Sequence, residues 1–122
     1  MASDLIARVA KVTDKPIRYV LLTHYHAARA LGASAFKNAE ILASDATRAL
    51  IAERGKQDMD SEIGRFPRLF RAADTIPGLT SPTVTFPDQI SIWLGRREVR
   101  IMHIGRGHTA GDVIDAVPDC GV

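Results

Sequence analysis

The sequence predicts an α/β fold in one domain, a mixed sheet with helices on one side, and three observations lead there. A continuous β-rich run over 17–22 is followed by an alanine-rich stretch and a second short apolar run, the order strand, helix, strand of a parallel crossover unit. Helical spacing dominates the middle of the chain. Toward the C-terminus the pattern changes to short runs of Val, Ile and aromatic residues between turn residues, the mark of successive strands. The 122 residues suit a single domain over 1–122 and can bury a core without staples.

Each element has a local reason. Leu5, Ile6, Val9 and Val12 recur at helical spacing, with Ser3 or Asp4 as the cap and Pro16 beyond the end. The run 17–22 has the length and apolar continuity of a strand buried in a sheet. A short helix over 27–36 follows despite Gly32, then a strand over 40–43. Ser44 or Asp45 caps the next helix, with Gly55 as its C-terminal stop. A second helix lies within 58–73, burying Ile63, Phe66, Leu69 and Phe70, and Pro77-Gly78 marks a loop over 75–82. Strands follow over 83–86, 90–94 and 98–104, the last two joined as a hairpin through Gly95-Arg96-Arg97. A Gly105-Arg106-Gly107-His108 loop then leads to a strand over 112–117.

Composition excludes some functions. No apolar run approaches the roughly 18 residues a membrane span needs, and the start, Met1-Ala2-Ser3-Asp4, has no signal-peptide character. The lone Cys120 cannot form an internal disulfide, so a cytoplasmic location is the default expectation. Net charge is +2, and most of the 16 basic residues are arginine. These alternate with acids, as in Glu53-Arg54 and Glu62-Ile63-Gly64-Arg65. That pattern describes a salt-bridged surface better than an arginine-rich nucleic-acid binder.

The chemistry gathers in two loops. His24 and His26 follow directly after the buried strand, and residues two apart in an extended segment face the same side. Imidazole is a favoured zinc ligand. His108 stands between glycines after a later strand, where the backbone can turn sharply. Thr109 and Asp112 are placed to orient the His108 ring, as ligating histidines require. His103 alternates with Val99 and Ile101 on one strand face and reads as a core or edge residue. Cys120 reads as a turn cysteine, and Trp93 as a core or interface residue.

Thr23-His24-Tyr25-His26 after an apolar strand, with Gly107-His108-Thr109 far downstream, resembles the metallo-β-lactamase superfamily. The resemblance implies part of a four-layer αββα sandwich with zinc at one edge between its sheets. It implies His24, His26 and His108 as ligands, one ion per chain, and hydrolysis as the reaction class, with the small-molecule substrate left open. The family's first motif is His-x-His-x-Asp-His. Here Ala28 and Arg29 stand where its Asp and His serve a second metal. Alanine has no ligand atom and a guanidinium opposes a second cation, so catalysis is expected to be impaired or absent, with Arg29 or Arg106 available to an anionic group. The family also has strands ahead of the opening helix, and a bridging aspartate and last histidine in strands beyond the turn at Asp119. The chain is therefore expected to be an internal piece of that fold. The alternative is a non-catalytic fold stabilised by self-association, as a dimer or higher, since a partial sandwich exposes strand edges and apolar surface.

Overall fold

The computed structural model describes residues 2–121, apart from the side chains of Ala28 and Arg29. Helix α1 (Ala2–Val9) comes first, and Ser3 and Asp4 lie inside its first turn rather than at a cap. Asp4 instead pairs with Arg8 one turn on, at 3.1 Å. Strand β1 (Tyr19–Leu21) leads through α2 (Ala27–Ala30) and a 3-10 turn (Leu31–Ala35) to β2 (Glu40–Ser44). The expected helix over 27–36 thus tightens to 3-10 geometry after one turn. Helix α3 (Asp45–Arg65) follows, and a long connection leads to β3 (Val84–Phe86).

The first sheet has the order β1-β2-β3 with both pairings parallel. Strand β2 is central and buried on both faces. Ile41 and Ala43 join Leu22, Ala30, Ala33 and Ile51 in a core beneath the helices. Leu42 points the other way, into a second core with Phe86, Ile101 and Val113. The period-2 alternation of a strand therefore builds two apolar layers from neighbouring residues of β2.

The second sheet, β4 (Gln89–Leu94), β5 (Arg97–Met102) and β6 (Ile114–Ala116), is antiparallel throughout. The hairpin turn is Gly95-Arg96, with Gly95 in the left-handed region at φ 68°. Glycine is the residue that takes this conformation without strain. Ile90, Ile92 and Val99 pack against the core shared with the first sheet, so two sheets lie face to face with helices outside the first. Trp93 and Ile114 remain exposed on the second.

Two sequence expectations change. Gly55 does not stop a helix: α3 runs unbroken to Arg65, and the separate helix expected within 58–73 is largely its second half. Gly55 is buried there, and a Cβ would stand 2.6 Å from Leu79 Cδ1, so close packing rather than termination explains the glycine. Phe66 and Leu69, expected on a buried helical face, lie past the end of α3 and are exposed. The strand over 83–86, read from sequence as one of three successive strands, forms as β3 and pairs with β2 in parallel. Thr83 N–H donates to the Ile41 carbonyl at 2.8 Å and Thr83 Oγ1 accepts from Ile41 N–H at 2.9 Å. Phe86, at the end of β3, is buried in the core between the sheets.

Candidate metal centre

Both histidine loops leave the C-terminal ends of strands and meet at the edge between the sheets. The ladder continues just past β1, where Leu22 N–H donates to the Leu42 carbonyl at 2.9 Å, before the chain turns out at Thr23. His26 is the residue that precedes the first turn of α2. Val113 N–H donates to the Thr23 carbonyl at 3.1 Å, tying the base of one loop to the end of the other.

His24, His26 and His108 converge, each offering a nitrogen, with these atoms within 4.8 Å of one another. His26 Nδ1 and His108 Nε2 stand 3.2 Å apart. Two nitrogens at about 2.05 Å from a tetrahedral ion are separated by about 3.3 Å, so this edge already has ligand spacing. The rings cross nearly edge to face, with centroids 4.8 to 5.6 Å apart. His24 Nδ1 lies 3.0 Å from Thr23 Oγ1, a contact that orients the ring. His24 and His26 are half-buried and His108 is exposed. Among the described residues this group contains no carboxylate. A set of three imidazoles with an open side suits a borderline-soft divalent ion.

Thr109 and Asp112 act on the loop that carries His108. Asp112 Oδ1 accepts from Thr109 N–H at 2.9 Å and from the Thr109 hydroxyl. Burial opposes ionisation of Asp112. The Thr109 hydroxyl, the backbone N–H groups of Thr109 and His108, and nearby His24 outweigh it and hold the carboxyl below the usual aspartate range. A Cβ at Gly107 would come within 2.7 Å of Asp112 Oδ2, so glycine is needed there for the carboxylate to reach the loop. His103, just past the end of β5, stands outside the three-histidine group, and its Nδ1–H donates to the Asp112 carbonyl at 2.8 Å.

Sequence reading missed the other half of the support. Ser44 and Thr47, both buried, stand at the start of α3 and donate their hydroxyls to the Gly111 carbonyl at 2.7 and 2.8 Å. Ser44 Oγ also accepts from Thr47 N–H at 3.1 Å, which caps the helix. Gly111 sits so close that a Cβ would meet Thr47 N at 2.5 Å. On the other loop, Asp58 of α3 accepts a hydrogen bond from Ala27 N–H at 2.5 Å. The signal for Ser44 was its capping position, but its far partner lies 67 residues away.

Arg106 lines a cleft of about 290 Å³ together with Thr23, His24, Ile104, Asp112 and Ile114. Arg29, the other arginine expected near an anion, has its side chain outside the described residues.

Sequence and fold both match known proteins. The Metallo-beta-lactamase superfamily matches the chain over residues 1–122, and the chain belongs to it. Solved structures share the fold. The metallo-beta-lactamase from Pontibacter korlensis superposes with a TM-score of 0.71 at 20% identity, covering 96% of this chain and 45% of that one. The native FEZ-1 metallo-beta-lactamase from Legionella gormanii gives 0.66 at 19% identity, over 96% and 44% of the two chains. The metallo-beta-lactamase MIM-1 from Novosphingobium pentaromativorans gives 0.59 at 20%, over 95% and 41%. The chain thus spans less than half the length of these structures. Comparison with curated proteins gives no match.

Proposed function

We propose that the chain forms a metal centre of a zinc-dependent hydrolase, with His24, His26 and His108 as the ligands of one ion. The observation that carries this reading is the convergence of three imidazoles from two loops that are far apart in sequence. Zinc held by three imidazoles supplies a coordinated water whose pKa falls to about 7. The chain's own residues do the rest. Thr23 orients His24, and Asp112 with Thr109 holds the backbone that presents His108. Arg106, exposed at the rim of the cleft beside His24, attracts an anionic group of a small-molecule substrate.

Turnover by these residues alone is weak or absent in this reading. Hydrolysis by the superfamily uses an aspartate and a further histidine where this chain carries Ala28 and Arg29, and no carboxylate joins the three imidazoles among the described residues. Zinc titration by calorimetry tests the binding, with about one ion per chain expected. An Arg106→Ala protein that holds a phosphate or carboxylate anion as tightly as the wild type would remove the arginine's role.

A second reading, self-association, is favoured by the exposed outer face of the second sheet. Trp93 is 63% and Ile114 48% exposed there, and the far edge of β6 has no strand beside it among the described residues. Such a surface pairs with a second copy. Light scattering that reports a monomer at micromolar concentration argues against it. No helix among the described residues is long and apolar enough to cross a membrane.

A further inference from the structure

His26 is both a candidate ligand and the N-cap residue of α2, and that position has no cap of its own. Its side chain makes no capping hydrogen bond, whereas Ser, Thr, Asp or Asn usually satisfies the first free N–H groups of a helix. The helix is one turn long, too short to hold its own geometry in water. The first N–H, that of Ala27, is taken instead by Asp58 Oδ2, 31 residues downstream on α3. On the other side of the same peptide unit, the His26 carbonyl accepts from Ala30 N–H at 3.1 Å.

Asp58 stands where the helical period calls for packing. Thr47, Ile51 and Gly55 form the buried stripe of α3, and Asp58 follows at the next turn, half-buried. An acid on such a stripe is costly unless it is hydrogen-bonded, and a charge-assisted bond to a backbone N–H is among the stronger ones. Asp58 is not among the residues whose ligand atoms gather at the site. Its reach to His26 therefore runs through the backbone.

We propose that Asp58 is a positioning residue for the metal centre: its carboxylate fixes the peptide after His26 and so sets the direction of the His26 ring. This rests on the three-histidine reading above. Helix α3 then fixes both loops at once, through Ser44 and Thr47 to Gly111 and through Asp58 to Ala27. Its N-terminal end serves His108 and its later turns serve His26.

The test measures zinc affinity by competition with a chromophoric chelator, and the visible absorption of the Co(II)-loaded protein. It compares wild type, Asp58→Ala, Asp58→Asn and the control Asp60→Ala, with far-UV circular dichroism confirming the fold of each. Asp60 is exposed and ion-paired with Lys56 at 2.7 Å. The expected result is about a tenfold loss of affinity for Asp58→Ala, in line with residues that hold a ligand from behind. Its Co(II) band shifts. Asp58→Asn keeps an acceptor oxygen and recovers part of the loss, and Asp60→Ala matches wild type. Wild-type affinity and an unshifted Co(II) band in Asp58→Ala would overturn the proposal alone. Should Asp58→Ala not fold, the same two results in Asp58→Leu, which fills the space and accepts no hydrogen bond, overturn it. A wild type that binds neither metal overturns the three-histidine reading itself and this proposal with it.

Discussion

At the scale of single residues, the site is held by contacts that leave little room for substitution. Gly107→Ala pushes a methyl group onto Asp112 Oδ2, where a Cβ would stand 2.7 Å away. We expect a stability loss of about 1–3 kcal/mol, as for other overpacked positions, measurable by urea titration, together with weaker metal binding. Asp112 has a pKa below its ordinary value, so its folded form binds its proton less readily than the unfolded chain does. Its stabilising contribution is therefore complete above the ordinary aspartate pKa of about 3.9. It is lost as pH falls through the depressed folded-state value. Acid titrations of wild type and Asp112→Asn should differ in that window, with the variant losing less stability as the pH drops. Parallel acid limbs in the two proteins would remove Asp112 from the set of stabilising groups.

At the scale of elements, α3 and its cap carry the largest local consequence. Ser44→Ala removes a helix cap and a buried hydrogen bond to Gly111, each worth about 1 kcal/mol. A loss of roughly 2 kcal/mol in urea titration is expected, and a change below about 0.5 kcal/mol would contradict the bridging role. The histidine loops were legible in the sequence because a β-rich run ends at Leu22 and glycines flank His108. The hairpin was legible from Gly95. The unbroken α3 was not, because Gly55 looks like a C-cap until Leu79 is seen packed on it. Nor was the parallel pairing of β3, since the partner of Thr83 is chosen by a contact 42 residues away. Asp58 escaped for the same reason: on a helix, an acid among other acids gives no sign of which one faces inward.

At the scale of the molecule, two sheets share one apolar layer, and β2 joins that layer to the one beneath the helices. Leu42 lies at their junction and is 1% exposed; cutting it to alanine should cost about 2–5 kcal/mol. A smaller loss in thermal or urea unfolding would mean the two sheets do not depend on each other. The three histidines gather at the edge where both sheets meet, from loops that follow strands of the two, so metal binding there would report on the whole arrangement. The most direct measurement is the metal content of protein purified without chelator or added metal and then titrated with zinc, for wild type and His108→Ala. We predict about one zinc per wild-type chain, and a His108→Ala protein that remains folded and binds roughly tenfold more weakly or worse. A folded wild type that takes up no zinc, or a His108→Ala protein that binds it equally well, would contradict the three-histidine centre.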